Sequence, residues 1–237
     1  MNINDLDIKI FADGANLDYI TACATNPAYV EGFTTNPSLM KKEGVTNYID
    51  FIRHISKITS FPISVEVFSD NLFEMITQGR KISSVNENIY VKIPITDTKG
   101  NSTYRVVETL SKERVKLNIT AIFTADQVMA IEPVMSSSTP AIISVFAGRI
   151  ADTGVNPVPI IEEIKWLISE KPNIELLWAS CREVYNIFQA DKVGCDIITV
   201  PEPILKKLQI VGTNLEDYSR LTVKEFHDDA VSAGFSL

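Results

Sequence analysis

Residues 89–95 read IYVKIPI, a short run in which β-branched side chains occupy every second position. This alternation predicts a β-strand that turns Ile89, Val91 and Ile93 to one face. Side chains alternate between the two faces of a strand, so Lys92 belongs to the opposite face. If helices cover the apolar face, the lysine points to the other side of the sheet.

Further β-branched runs occur along the whole chain and bring the number of predicted strands to eight. The other seven lie at 8–14, 32–36, 62–67, 116–122, 141–148, 174–180 and 196–201. Between the strands, apolar residues recur at helical spacing. The predicted helices cover 43–58, 70–84, 102–113, 124–136, 157–170 and 181–192.

Strand and helix alternate without an intervening linker, which indicates an α/β fold with a parallel sheet. Eight strands in about 200 residues favour a closed (β/α)₈ TIM barrel, a single domain, over an open sheet. We assign this catalytic domain to residues 1–214. Residues 215–237 form an additional C-terminal helix with apolar positions at Leu221, Phe226 and Val231. This helix either caps the barrel or contacts a neighbouring subunit.

The composition excludes several classes of protein. The 237 residues carry a net charge of −8 and no run of basic residues that could neutralise a polymer's phosphates, so we expect no nucleic-acid partner. The longest apolar runs fall well short of the ~20 residues that cross a bilayer, and no basic, apolar leader opens the chain. Three cysteines without a CxxC pair suit a reducing compartment. We therefore expect a cytoplasmic protein without a membrane partner.

The strand parity predicts an unusual barrel interior. The residues assigned to the inside are Asp13, Ser64, Glu66, Tyr90, Lys92, Asn118, Thr120, Ser144, Phe146, Trp178 and Ser180. Six of them are polar groups where a packed core would have Val, Ile or Leu: Asp13, Glu66, Lys92, Asn118, Thr120 and Ser144. An unpaired charge taken out of water costs several kcal/mol. Convergence of polar groups from several strands is typical of a ligand site. The alternative, a Lys92–Glu66 ion pair that only fixes packing, stays open at this stage.

The residue types limit the chemistry. No histidine is predicted inside, since His54 and His227 fall on polar helical surfaces, so a Ser-His-Asp relay is excluded. Lys92 would repel a cation bound by Asp13 and Glu66, which disfavours a metal site. A lysine nucleophile remains, and its amine attacks a ketone in the neutral form.

Schiff-base chemistry on Lys92 also needs groups that move protons and water. Glu66 and Thr120 could hold the water that leaves and returns, and Asp13 could take a proton from a departing hydroxyl. Neutral hydrogen bonds to sugar hydroxyls could come from Asn36, Asn118 and Ser144.

Two arginines follow the sixth and seventh strands, near the barrel end that often binds phosphate. Arg149 and Arg182 together suit a phosphate dianion. The alternative, in which each pairs with a surface carboxylate such as Asp152, also stays open.

Seven segments in order along the chain resemble the strand-end motifs of transaldolases. They are FADGAN, TTNPSL (34–39), SVEV (64–67), VKIP (91–94), LNIT followed by AIFTADQ (117–127), SVFAGRIAD (144–152) and WASCRE (178–183). The length and the ending TVKEFHDDAVSAGF resemble the small subfamily that includes fructose-6-phosphate aldolases. TTNPSL and the FxGRxxD segment are the specific motifs, whereas VKIP alone is weak.

The resemblance implies a role for each matching residue. Lys92 matches the Schiff-base lysine, Asp13 the acid/base at the C4 hydroxyl, and Glu66 with Thr120 the pair that positions the catalytic water. The dihydroxyacetone unit is held by Asn36, Asn118 and Ser144, and the phosphate by Arg149, Ser180 and Arg182. The resemblance implies phosphorylated sugar substrates, no cofactor and no metal. It also implies a homo-oligomer, as in ring-stacked decamers, with a pentamer as the alternative.

Glu66 and Phe146 separate the two branches of the family. The aldolase branch has Gln and Tyr at these positions, so the resemblance favours group transfer from sedoheptulose 7-phosphate or fructose 6-phosphate to glyceraldehyde 3-phosphate or erythrose 4-phosphate. The residues Trp178 and Cys181 depart from the family pattern, and we expect Cys181 to be an inert small residue. A free aldolase and a non-catalytic phosphosugar-binding protein are the alternatives.

Overall fold

A computed structural model describes residues 3–25 and 28–236, so Met1, Asn2 and Leu237 at the ends of the predicted segments lie outside it. Eight parallel strands close into a barrel in chain order, and β8 pairs back onto β1. The strands are β1 (Lys9–Asp13), β2 (Val30–Thr34), β3 (Ile63–Glu66), β4 (Ile89–Pro94), β5 (Leu117–Ile122), β6 (Ala141–Val145), β7 (Ile174–Trp178) and β8 (Ile197–Pro201). The predicted (β/α)₈ TIM barrel is confirmed.

Helices connect the strands and cover the outside of the barrel. They are α1 (Leu17–Thr25), α2 (Pro37–Lys42), α3 (Tyr48–Ile58), α4 (Leu72–Ser83), α5 (Tyr104–Lys112), α6 (Ala125–Ile131), α7 (Ala147–Asp152), α8 (Val158–Leu167), α9 (Tyr185–Lys192), α10 (Glu202–Leu205) and α11 (Leu215–Ser232). Short 3₁₀ segments cover Ile3–Asp5, Glu132–Val134 and Lys206–Ile210.

Several predicted boundaries differ from the structure by two to five residues. The helix predicted from residue 43 begins at Tyr48, because the Asn47 side chain caps it by accepting a hydrogen bond from Asp50 N at 3.1 Å. The second strand begins earlier than predicted, at Val30. The sixth ends at Val145 rather than at residue 148, because α7 follows directly.

Two apolar layers hold the barrel together. The outer one packs the strands against the helices and contains the predicted outward residues Ile89, Val91 and Ile93. The inner one is a small cluster, which we call the inner apolar cluster, and consists of Phe11, Tyr90, Ile142, Leu177, Ala179 and Ile197, with Phe146 against it. Its side chains are at most 8% exposed.

The seventh strand has the opposite parity to the predicted one. Leu177 and Ala179 belong to the inner apolar cluster, whereas Trp178 packs with the outer layer. The placement of Trp178 inside the barrel was therefore wrong. The strand sequence IELLW offers apolar residues to both faces, so alternation carries little information there. The register is fixed by the neighbouring strand, where Leu177 pairs with Ile197.

The C-terminal helix α11 is set apart from the core. It has 18 residues and none of them is buried. The predicted apolar positions Leu221, Phe226 and Val231 are 52%, 67% and 66% exposed. Within the part of the chain that the structure describes, no helix is both long enough and apolar enough to cross a lipid bilayer.

Candidate active site

A cavity of about 250 Å³ opens at the carboxyl ends of the strands. In a barrel of this kind the strand ends and the following loops supply the reacting groups. Of the eleven predicted site residues, nine line the wall: Asp13, Asn36, Lys92, Thr120, Ser144, Phe146, Arg149, Ser180 and Arg182. Glu66 and Asn118 are not in the lining, although both contact residues that are.

Lys92 lies on β4 and is 6% exposed. Its Nζ donates to the carbonyl oxygen of Thr35 at 3.1 Å and lies 3.5 Å from Glu66 Oε2. The two charged residues are direct register partners on neighbouring strands. The ion pair therefore exists, and the same amine also borders the cavity, so packing alone does not account for it.

Asp13 ends β1 and borders the same cavity. Burial raises the pKa of its carboxyl above the usual value, while the charge of Lys92 and a hydrogen bond from Thr34 lower it. The Thr34 hydroxyl lies 2.8 Å from Asp13 Oδ1. The site thus contains a buried carboxyl whose charge state depends on its immediate partners.

A chain of hydrogen bonds fixes the side chains beneath the cavity. Ser144 Oγ donates to Asn118 Oδ1 at 2.6 Å, and Asn118 Nδ2 donates to Ser64 Oγ at 3.0 Å. All three residues are at most 2% exposed. The Asn118 amide thus links Ser64 to Ser144 and holds Ser144 at the cavity wall.

Thr120 carries a hydroxyl without a hydrogen-bond partner among the described residues. The residue is 1% exposed and lines the cavity. After it, Ala121 adopts a positive φ of 60° and the pairing with β6 shifts register. A buried hydroxyl without a partner is costly, so Thr120 suits a bound water or substrate oxygen.

Asn36 has a structural task as well as a place at the cavity. Its Oδ1 accepts from Leu39 N at 3.0 Å and caps α2. The cap holds the side chain at the end of β2, next to the other site residues.

The two arginines reach the cavity wall in different environments. The Arg149 guanidinium carbon lies 5.6 Å from the centre of the Phe146 ring, a cation–π arrangement. Arg182 forms an exposed ion pair with Asp152, with Nη2–Oδ2 at 2.5 Å and Nε–Oδ1 at 3.3 Å. Pairing with Asp152, the alternative left open by the sequence, therefore holds for Arg182.

The start of α7, directly after β6, is in close contact with the loop after β7. A Cβ on Gly148 would lie 1.7 Å from the carbonyl oxygen of Ser180, so only glycine fits there. Ser180 itself has a positive φ of 63°. This contact brings Ser180 to the wall although it follows a strand whose parity was predicted wrongly. The neighbouring thiol of Cys181 is buried, and burial raises its pKa to about 12, which makes it a poor nucleophile at neutral pH.

The sequence matches one protein family over nearly its whole length. The family model described as transaldolase/fructose-6-phosphate aldolase matches residues 10–236. The chain belongs to this family. A protein named "Probable transaldolase" from Thermoanaerobacter sp. (strain X514) is 35% identical over 231 residues, covering 97% of this chain and 100% of the relative. Another of that name, from Caldicellulosiruptor saccharolyticus, is 36% identical and covers 85% and 89%.

Membership of the transaldolase/fructose-6-phosphate aldolase family confirms the resemblance predicted from the motifs and a transaldolase-type function. Solved structures show the fold only. Orotidine 5′-monophosphate decarboxylase from Metallosphaera sedula is similar with a TM-score of 0.56 at 10% identity, over 89% of this chain and 98% of that one. Mandelate oxidase is similar with a TM-score of 0.55 at 14% identity, over 81% of this chain and 62% of that one.

Sequence reasoning missed several residues of this family member's cavity. The missed lining residues are Thr34, Leu177, Ala179, Thr199 and Pro201, together with Cys181, which was expected only as an inert small residue. Thr34 lies within the TTNPSL segment, so the motif itself was the available signal. Thr199 lies between the outward residues Ile198 and Val200, and alternation along this strand places it inside.

Other predictions about individual residues agree with the structure. His54 and His227 are exposed, as expected. The three cysteines, Cys23, Cys181 and Cys195, are free thiols. Neither residue type contributes a nucleophile to the cavity, which leaves Lys92 as the amine among the lining residues.

Proposed function

We propose that this chain is a transaldolase that transfers a dihydroxyacetone unit through a Schiff base on Lys92. The donor is a ketose phosphate, sedoheptulose 7-phosphate or fructose 6-phosphate, and the acceptor is glyceraldehyde 3-phosphate or erythrose 4-phosphate. The observation that carries the proposal is a buried lysine amine at the cavity wall, with one carboxylate 3.5 Å away and a second carboxylate bordering the same cavity.

The first step joins the sugar to the enzyme. Neutral Lys92 Nζ attacks the C2 carbonyl of the donor, and the carbinolamine then loses water to give the iminium. Glu66 is the nearest carboxylate to this nitrogen, and the unpaired Thr120 hydroxyl borders the same space. In the proposal these two groups hold the departing water and move its proton.

The second step breaks the bond between C3 and C4. Asp13 takes the proton of the C4 hydroxyl, the C3–C4 electron pair moves into the iminium to form an enamine, and an aldehyde leaves. When the acceptor aldehyde enters, the enamine attacks its carbonyl carbon and Asp13 returns the proton to the new alkoxide. Hydrolysis of the new iminium frees the product and regenerates the Lys92 amine.

The remaining predicted residues hold the substrate in this scheme. Asn36, Asn118 and Ser144 hold the dihydroxyacetone unit, Asn118 from beneath through its bond with Ser144. Arg149, Ser180 and Arg182 bind the phosphate. Because Arg182 is engaged with Asp152, the phosphate has to share or replace that carboxylate.

Phe146 supports transfer over release. Its ring lines the cavity beside Arg149 and has no hydroxyl that could protonate the enamine. Without a phenol at this position, protonation of the enamine is slowed and the enamine persists until an aldehyde arrives, which is the condition for group transfer.

We also propose that the protein acts in the cytoplasm as a homo-oligomer. Free thiols at Cys23, Cys181 and Cys195 suit a reducing compartment. The exposed apolar residues of α11 support a contact with another copy of the chain. Sizing the full chain against one that ends after Asn214 tests this role, and equal sizes would contradict it.

Borohydride trapping tests the covalent step. With fructose 6-phosphate and borohydride, the wild type should gain the mass of a reduced dihydroxyacetone adduct on the peptide that contains Lys92. Lys112→Met, which removes an exposed lysine paired with Glu108, should trap equally well. A wild type that gains no mass, or gains it on another lysine, contradicts the proposed mechanism.

Product analysis separates transfer from the two alternatives. Without an acceptor, the proposed transaldolase should release dihydroxyacetone slowly, whereas a free aldolase releases it fast. A phosphosugar-binding protein would be stabilised by fructose 6-phosphate in both wild type and Lys92→Ala while neither turns over.

A further inference from the structure

Two threonine hydroxyls form a chain that ends on the Asp13 carboxylate. The Thr34 hydroxyl from β2 lies 2.8 Å from Asp13 Oδ1 and also makes a short hydrogen bond with the Thr199 hydroxyl from β8. Thr34 is 3% exposed and Thr199 is 6% exposed, and all three side chains border the cavity.

Strand pairing places the three groups together. β1 lies between β2 and β8, and Asp13 is the register partner of Thr34 while Phe11 is the partner of Thr199. Just beyond the strand, Gly14 N donates to Thr34 O at 3.0 Å. The two hydroxyls therefore meet beside the carboxylate through the architecture of the barrel and not through a mobile loop.

The direction of the chain follows from counting protons. An ionised carboxylate only accepts, so Thr34 donates its single hydroxyl proton to Asp13. Thr34 must then accept in its contact with Thr199, and Thr199 is the donor. Two donations thus run in series toward the charged oxygen.

When Asp13 takes up a proton, the series can reverse. The carboxyl then donates to Thr34, and Thr34 donates to Thr199. Hydrogen bonds to an ionised group are roughly twice as strong as neutral ones, so the pair stabilises the ionised form more than the protonated form. The same two hydroxyls also keep a partner for Asp13 in both states.

We propose that Thr199 is a positioning residue for Asp13 and acts through Thr34. The pair holds the carboxylate in the orientation and charge state that carbon–carbon cleavage needs. This inference rests on the proposed role of Asp13 as the base. Thr199 itself is not placed in contact with the reacting atoms.

The charged surroundings of Asp13 set the sign of the expected pH effect. Lys92 on β4, itself paired with Glu66, lowers the pKa of Asp13, as does the Thr34 hydrogen bond, and burial raises it. The phenol of Tyr19 on α1 interacts with both Asp13 and Glu202 on α10. The threonines carry no charge, so removing their hydroxyls removes stabilisation of the carboxylate and raises its pKa further.

The pH dependence of kcat/KM, measured with fructose 6-phosphate and erythrose 4-phosphate, tests the chain of hydroxyls. The base must be ionised, so its pKa appears as the acid limb. Loss of a hydrogen bond to a charged group should move this limb upward by about one pH unit in Thr34→Val. In Thr199→Val the shift should be smaller, about 0.3 pH unit, because the bond from Thr199 strengthens the bond from Thr34 to Asp13 by only roughly 10–30%. At a pH below the acid limb, this shift appears as a twofold loss of kcat/KM.

Two further variants separate this mechanism from a packing effect. Thr199→Ser keeps the hydroxyl and should restore the wild-type limb. The double variant Thr34→Val with Thr199→Val should have the limb of Thr34→Val alone, because Thr199 acts only through Thr34. Additive shifts, or an acid limb of Thr199→Val that coincides with the wild type, would overturn the proposal. If Thr199→Val fails to fold, Thr199→Ala takes its place.

Thr139→Val is the matched control. Thr139 is 5% exposed, and its hydroxyl has no hydrogen-bond partner among the described residues. This substitution makes the same chemical change outside the site and should leave the acid limb in place.

A second readout does not require turnover. NMR titration of ¹³C-labelled aspartate in the unliganded protein should show the Asp13 carboxyl pKa rising in the order wild type, Thr199→Val, Thr34→Val. Unchanged titrations would refute the role of Thr199 even in an active enzyme. A wild type that gives no borohydride adduct but follows this order would instead refute the proposed function.

Discussion

The two ends of the barrel interior are built from the same strands and have opposite chemistry. Each of four strands carries a member of the inner apolar cluster two residues before a polar residue that lines the cavity. The pairs are Phe11 and Asp13, Tyr90 and Lys92, Ile142 and Ser144, and Ile197 and Thr199. Two residues along a strand span about 6.6 Å, so the barrel interior changes from apolar to polar between one inward-facing side chain and the next.

This difference separates stability from reactivity. The apolar end is closed by side chains that are almost fully buried, and their burial stabilises the barrel. The polar end holds a charged pair and an acid that packing does not require. Substitutions at the two ends should therefore act on different properties, and the four predictions below test that division.

The largest effect is expected for Lys92→Met, which keeps the length of the side chain and removes the amine. Transfer activity should fall by at least about 10⁴-fold, since a nucleophile has no substitute in this site. The thermal midpoint should change by only a few degrees, because Met fills a similar volume and Glu66, whose side chain is 20% accessible, can still be hydrated after its partner is removed. A coupled assay and a thermal melt measure both. A Lys92→Met variant that still turns over, or that unfolds, would contradict the separation of reactivity from stability.

Phe11→Ala is expected to have the reverse profile. The Phe11 ring is 2% exposed and packs directly against Gly32. A Cβ on Gly32 would lie only 2.5 Å from the ring atoms. Deleting it should lower the free energy of unfolding by about 3–5 kcal/mol, measured by urea titration. Phe68→Ala, at a ring that is 61% exposed, is the control and should cost far less. Equal losses in the two variants would argue against a stabilising inner cluster.

Asp13→Asn tests the energetic cost of the polar end. Burial raises the pKa of Asp13 above its usual value of 3.8, so the folded protein disfavours the ionised form. Below pH 3.8 the carboxyl is protonated in both states and costs nothing; the penalty grows as pH rises through the raised pKa. At pH 7 the variant should therefore melt at a higher temperature than the wild type.

Melting curves between pH 3 and pH 8 check this prediction. The difference between Asp13→Asn and the wild type should vanish at the acid end. A variant that is less stable at pH 7 would mean that Lys92 and Thr34 outweigh burial.

The smallest effect on stability is expected at the rim. The Arg182–Asp152 pair is exposed, with side chains 51% and 53% accessible. Asp152→Asn should therefore change the free energy of unfolding by less than about 1 kcal/mol. Chemical denaturation measures this change. A larger loss of unfolding free energy would mean that the rim contributes substantially to the stability of the barrel.

The sequence correctly predicted which side chains face the barrel interior in strands where apolar and polar residues alternate clearly. In a strand without clear alternation it assigned side chains to the wrong face. IYVKIPI has one apolar and one mixed face, so Lys92 could be oriented correctly from its neighbours alone. IELLW has apolar residues on both faces, with Glu175 as its one charged residue, and its register depends on pairing with β8, which is information held by another strand. Trp178 was assigned to the wrong face for that reason.

The candidate site was predictable at the level of residues and less so at the level of contacts. Nine predicted residues reach the cavity wall because strand ends converge in any barrel. The Thr34–Thr199 contact joins two strands far apart in sequence, and the close approach of Gly148 to Ser180 joins α7 to the loop after β7. Such long-range contacts have no local signature in the chain.

The inner apolar cluster also governs how molecules travel. Among the described residues those side chains fill the far end of the barrel, so a sugar reaches Lys92 through the cavity of about 250 Å³ at the carboxyl ends of the strands. In the proposed transfer reaction both aldehydes use this cavity, so the first aldehyde has to leave before the second binds. The first product therefore leaves before the second substrate binds, which is a ping-pong mechanism. Steady-state kinetics should then give parallel double-reciprocal lines.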